Sequence, residues 1–154
     1  FFFKQKTAYE ISTRDWSSDV CSSDLPSSTA VVSMCIVDDR FTDRPQRREV
    51  YMRDEEGPIQ NPNLAFAVRE AVDAIDAFTE AGHDVVVHCH GGRSRTGLVL
   101  KAWYMRHFDV THREAHAWLH SCWPLYQTYN RTFWDFLENE WTDEVLGGAG
   151  KAGK

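Results

Sequence analysis

The nine residues His88-Cys89-His90-Gly91-Gly92-Arg93-Ser94-Arg95-Thr96 hold one thiol, two glycines and two guanidiniums. A glycine-rich turn lets successive backbone N–H groups face an anion at a helix N-terminus. An arginine fork grips two oxygens of a tetrahedral oxyanion at once. Only a thiolate attacks, and a helix N-terminus beside a guanidinium is where a thiolate is favoured. Cys89 is therefore expected to be a nucleophile aimed at a bound phosphate, with Arg95 clamping that phosphate. His90, Gly91, Gly92, Arg93 and Ser94 would supply mainly backbone N–H groups. Gly92, and Gly91 with it, would provide the positive φ that a closed cradle needs. The His90 and Arg93 side chains are expected to point outward.

The spacing is informative. With four Cys and twelve Arg in the chain, chance gives about 0.3 Cys–Arg pairs six residues apart, and roughly 0.002 once a central Gly and a following Ser or Thr are required. Phosphate transfer to sulfur also needs a proton for the leaving oxygen. Asp54 is the favoured acid because it follows a strand. The C-terminal ends of parallel strands share one edge with such a loop. Glu55 and Glu56 remain alternatives. Asp38, Asp39 and Asp43 sit on a longer loop after an earlier strand and are less favoured.

His88 to Thr96 resembles the His-Cys-x-x-Gly-x-x-Arg-Ser/Thr signature of cysteine-dependent protein phosphatases. The region from about Ala30 to Trp141 looks most like a small, bacterial-type dual-specificity domain. The resemblance implies a protein-tyrosine-phosphatase-like α/β fold in three layers, with a central mostly parallel sheet and a helical C-terminal half. It implies hydrolysis of phosphotyrosine and phosphoserine or phosphothreonine with no metal or organic cofactor. A phosphoinositide, a nucleotide or an RNA 5′-phosphate stays open as substrate. It also implies that His88 orients the loop, that Thr96 stabilises the leaving thiolate, and that a polar residue such as Asn130 braces the phosphate loop. Thr96 could equally be a helix N-cap. The acid is the poorest fit, because the segment after Asp54 is a few residues longer than in typical members.

The elements that must position these groups are legible in outline. Ala30 to Ile36 reads as a buried strand and Glu49 to Met52 as a shorter one, joined by a polar loop from Val37 to Arg48. Asn61 is placed as N-cap and Pro62 as first residue of a helix whose apolar face is Leu64, Val68, Ala71, Val72, Ile75 and Phe78. Gly82 ends it. Val85 to Val87 is a strand buried on both faces, which implies a parallel crossover. A helix then carries Leu98 to Met105. Thr111 and Glu114 form a capping box that opens a third helix to about Cys122, ended by Pro124. A fourth runs from about Asn130 to Trp141 with Phe133, Phe136 and Leu137 inward. The aromatic run Trp118, Trp123, Tyr126, Tyr129, Phe133 and Trp134 reads as packing.

Residues 1–25 are expected to be foreign. Asp15 to Leu25 back-translates onto a common sequencing-library adapter, so that stretch is set aside. The native start, with one or two strands, would then be missing, and the catalytic unit would span residues 26–144 before a flexible tail at 145–154. Without residues 1–25 the balance is 14 basic against 19 acidic side chains, or −5, compared with −6 for the whole chain. That acidity argues against a general nucleic-acid binder. No segment reaches membrane-spanning length. Cys35, Cys89 and Cys122 have no regular spacing, which suggests reduced thiols and a cytoplasmic setting. The expected partner is a phosphorylated protein or a small phosphate monoester; oligomeric state is not legible. Three rivals stand beside this reading: a phosphate-binding module without turnover, a metal site at His83, His88, Cys89 and His90, and sulfur transfer or arsenate reduction. Adjacent strand residues face opposite ways, which weakens the metal site.

Overall fold

The computed structural model describes residues 2–3, 11–12, 25–39, 41–57, 59–123, 126 and 130–142. In chain order these form strands β1 (Phe2–Phe3), β2 (Ile11–Ser12), β3 (Ala30–Ser33) and β4 (Arg47–Glu49), helix α1 (Leu64–Glu80), strand β5 (Val85–His88), and helices α2 (Ser94–Phe108), α3 (His112–Cys122) and α4 (Arg131–Asn139). The sheet order is β2-β1-β5-β3-β4. β3 lies between β4 and β5 and is parallel to both. β1 joins the far edge of β5 antiparallel and carries β2. An open strand edge pairs through its backbone with little regard to side chains. The β1 pairing therefore covers the β5 edge that β3 leaves open.

The apolar runs of β3 and β5 are buried as their composition requires. One sheet face, with Ala30, Val32, Val85 and Val87, joins side chains of all four helices in the main core. The other face packs Val31 under Cys35, Val37 and Phe41. Among the described residues the layer on that side is the β3–β4 loop, not a helix. Arg44 ties this loop down by donating to the carbonyls of Leu25, Pro26 and Thr29.

Several boundaries differ from expectation. The first strand stops at Ser33, and Ile36 is exposed. The second strand is Arg47–Glu49, shifted toward the N-terminus from the expected Glu49–Met52. Val50 and Met52 are buried and Tyr51 exposed, so their alternation marks a core-facing face. It continues past the ladder because β3, the partner, has already ended. Helix α1 starts at Leu64 with Asn63 as N-cap, not at Pro62 after Asn61. The Asn61 side chain is engaged elsewhere, as described below. Gly82, at φ +86°, follows the end of α1 as expected. The Thr111–Glu114 capping box is formed at α3. The expected stop at Pro124, the Tyr129 side chain and the tail at 145–154 lie outside the described residues.

One buried charge was not anticipated. Lys101 on α2 is 2% exposed. Its Nζ donates to His112 Nε2 at 2.9 Å, and His112 Nδ1 faces Glu138 Oε2 at 2.9 Å. The rings of Tyr126 and Trp134 lie 5.7 and 5.1 Å from the ammonium. Burial pushes Lys101 down to about 7, against an upward pull from Glu138. Burial also lowers His112, with Lys101 adding to the effect. Between about pH 7 and the ordinary lysine value near 10.4, the unfolded chain holds a proton that the folded chain has shed. Stability therefore rises with pH through that window. Lys101→Met, which fills the volume without the charge, is expected to stabilise the fold by about 1–4 kcal/mol at pH 6. The gain should shrink steadily toward pH 10. Urea unfolding midpoints at pH 6, 8 and 9.5 check this; an advantage independent of pH would contradict it.

Candidate active site

β5 ends at His88 and α2 begins at Ser94, so Cys89 to Arg93 form the intervening loop. Cys89 is 5% exposed and belongs to the main core. Gly92 takes the left-handed conformation at φ +64°. Gly91 does not, contrary to expectation, so one glycine suffices to turn the loop. His90, Gly91 and Arg93 are exposed, whereas Ser94 and Arg95 are half-buried. Arg93 is the N-cap of α2. Thr96 is thus the third helical residue rather than the cap. It is buried, and its Oγ1 has no hydrogen-bond partner among the described residues.

The loop is anchored at its entrance. His88 Nε2 lies 2.7 Å from Ser33 Oγ, and the His88 carbonyl accepts from Met34 N–H at 2.9 Å. These contacts fix the last residue before the thiol against the end of β3. Arg95 then ties together the segments that follow β3 and β4. Its Nη1 donates to the Met34 and Met52 carbonyls, each at 3.2 Å. Its Nε is buried without a hydrogen bond, and Asp54 Oδ2 is 3.8 Å away, an ion pair too long to be a hydrogen bond.

The loop carrying Asp54 is clamped from both sides. Asn61 Oδ1 accepts from Arg53 N–H at 2.8 Å and Asn61 Nδ2 donates to the Arg53 carbonyl at 2.9 Å. With both carboxamide groups turned to Arg53, Asn61 does not cap α1; Asn63 stands at that position. From the other side, Asn130 Nδ2 donates to Asp54 Oδ1 at 3.3 Å, Arg131 N–H to Glu56 Oε1 at 2.9 Å, and Gly57 N–H to Thr132 Oγ1 at 2.9 Å. Glu56 is thereby occupied at the positive end of α4. Glu55 is exposed and lies 3.9 Å from Arg53. Of the three acids considered, only Asp54 is paired with Arg95.

Residues 21–138 match the family model for the dual specificity phosphatase catalytic domain. The chain belongs to that family. Over 40 residues it is 40% identical to the human Dual specificity protein phosphatase CDC14A, covering 26% of this chain and 7% of the relative. Over 86 residues it is 30% identical to mouse CDC14B, covering 55% and 16%. The matches thus span less than a fifth of these curated relatives' length. A mouse dual specificity phosphatase complexed with zinc tungstate superposes with a TM-score of 0.62 at 21% identity, over 80% of this chain and 75% of that one. The structure of Tk-PTP in its active form gives 0.59 at 21% identity, over 77% and 78%. At these identities the superpositions speak for the fold.

In this dual-specificity phosphatase domain, Asn130 also departs from expectation. It was expected to brace the phosphate loop; its amide instead meets the carboxylate of Asp54, while its Oδ1 caps α4 by accepting from Phe133 N–H at 3.2 Å. Thr132 and Ser33 carry no signal in the sequence, and their partners lie 75 and 55 residues away; Asn61, read as a helix cap, instead binds Arg53 eight residues back. The residues of the rival metal site are drawn apart: His83 Nδ1 contacts the Ser28 carbonyl at 3.0 Å, while His88 turns to Ser33. Asn130→Ala is expected to cost about 1 kcal/mol as a lost cap and to lower kcat about 10- to 100-fold through a misplaced Asp54. Asn130→Asp keeps the cap but sets a carboxylate against Asp54. It should restore the unfolding temperature and not kcat. Thermal unfolding together with kcat on an alkyl phosphate separates the two effects.

Proposed function

We propose that this domain hydrolyses phosphate monoesters of phosphotyrosine and phosphoserine or phosphothreonine in proteins through a phosphocysteine on Cys89. The observation that carries the reading is Arg95. One guanidinium nitrogen is held by two carbonyls in the segments that follow β3 and β4, and among the described residues the buried Nε has no hydrogen bond beside Asp54. In this reading the free edge of the guanidinium takes two phosphoryl oxygens, and backbone N–H groups from His90 to Arg95 take the others. The Cys89 sulfur forms the S–P bond as the P–O bond breaks, and Asp54 gives its proton to the leaving oxygen. A water then attacks phosphorus, Asp54 takes a proton from it, and the S–P bond breaks to release inorganic phosphate and the thiolate. The Thr96 hydroxyl, buried and without a hydrogen-bond partner among the described residues, is suited to hydrogen-bond that thiolate.

The catalytic unit is read as residues 26–144, with residues 1–25 foreign to it; the Arg44 bonds to the carbonyls of Leu25, Pro26 and Thr29 support a boundary near there. Among the described residues no helix is long and apolar enough to cross a membrane. Cys35, Cys89 and Cys122, none in a disulfide among the described residues, fit a reducing, cytoplasmic setting. The test is acid quenching during turnover of a ³²P-labelled aryl phosphate. Label should appear on the peptide containing Cys89, and tungstate should compete with substrate. Turnover without label on Cys89 would sink the covalent mechanism. Tungstate binding without turnover would favour a binding module.

A further inference from the structure

We propose that the groove between edge strand β4 and helix α1 binds an extended acidic segment of a protein substrate, away from the catalytic loop. The groove has a volume of about 500 Å³, and its floor includes Phe66, Ala74 and Phe78. Phe66 is 63% exposed. A backbone edge is available along one side. β4 ends the sheet, and its pairing with β3 uses the Gln46 carbonyl and Val50 N–H. Bonding in a parallel ladder alternates along the strand, so Arg47 and Glu49 direct their N–H and carbonyl groups outward.

The charges select the occupant. Both carboxylates lining the groove already have an arginine: Glu70 pairs with Arg48, and Asp73 pairs with Arg106. Arg69 is left over. Among the described residues it has no ion pair, and its buried Nε has no hydrogen bond. Among the described residues the Arg47 side chain donates only to a carbonyl, that of Phe41, at 3.0 Å. A surplus of guanidinium in a chain of net charge −6 calls for an anionic partner. The backbone edge calls for an extended one, and Phe66 for an apolar side chain. In an added strand, residues two apart share a face. One apolar and one acidic residue at that spacing would meet Phe66 and Arg69 together.

This inference rests on the reading of the chain as a protein phosphatase. Its test is built to fail separately, because the probe carries no phosphate. A fluorescein-labelled ten-residue peptide with acidic and apolar residues two apart is titrated into the full chain and followed by anisotropy. Binding should weaken about tenfold in Arg69→Glu, from one lost charge-assisted contact, and comparably in Phe66→Asp. Glu49→Pro removes an outward N–H without touching the β3 ladder, and should weaken binding while aryl phosphate turnover stays within about twofold. Cys89→Ser should bind the peptide unchanged. Equal affinity in Arg69→Glu, equal binding of a peptide with scrambled spacing, or displacement by tungstate would overturn the proposal. So would self-association abolished by Arg69→Glu, which would assign the groove to a second copy. Absent peptide binding with intact hydrolysis removes the groove alone.

Discussion

Arg95→Ala is expected to lower kcat/KM for an aryl phosphate by about 10³- to 10⁵-fold, the range seen when a guanidinium that neutralises phosphoryl charge is removed. Arg95→Lys should recover less than about tenfold of that loss. An ammonium keeps the charge but cannot offer two parallel donors. The geometry adds a second consequence. Arg95 Nη1 holds the Met34 and Met52 carbonyls, so either substitution also unties the exits of β3 and β4. Each abandoned carbonyl costs on the order of 1–3 kcal/mol if water does not reach it. Both variants should therefore unfold at lower urea as well as turn over slowly. Arg95→Lys should lose less stability than Arg95→Ala, because Nζ can reach one carbonyl. Steady-state kinetics read beside urea midpoints check both effects. A variant with normal stability and near-normal kcat/KM would remove Arg95 from both roles.

What could be read in advance depended on how local the deciding interaction was. Helices α1 and α4 follow from apolar spacing, and the α3 cap from Thr111 and Glu114, because each signal and its structure occupy the same few residues. The loop between β5 and α2 was legible for the same reason: thiol, glycine and guanidinium lie within a few residues of one another. The errors occur where a residue chose between a near partner and a remote one. Asn61 reads as a cap, yet its carboxamide pairs with Arg53. Asn130 does cap, but its amide also reaches Asp54 across 76 residues of sequence. The edge strand was misplaced because its ladder is set by β3, whereas the alternation at Val50 and Met52 records only burial. Lys101 gave no warning, since a lysine in an amphipathic helix ordinarily faces solvent. Its burial depends on Tyr126, Trp134 and His112 converging from other elements.

The same convergence decides which acid to test. Asp54→Asn is expected to lower kcat for a phosphoserine peptide or an alkyl phosphate by about 10²- to 10⁴-fold, the usual worth of a positioned general acid. An aryl phosphate with a stable leaving phenolate should lose much less, because its departure needs little proton transfer. This dependence on the leaving group separates a lost acid from a damaged site, which would slow both substrates alike. The pH profile supplies a second sign. The parent rate should fall as pH rises and the acid ionises; in Asp54→Asn that limb should vanish. Glu56→Gln should behave differently. Its carboxylate accepts from Arg131 N–H at the start of α4, so its loss should cost about 0.3–1 kcal/mol of stability and leave the basic limb in place. Glu55 is exposed beside Arg53, and Glu55→Gln should change neither. If Glu56→Gln alone erases the basic limb, the proton comes from Glu56, and Asp54 serves only to hold Arg95.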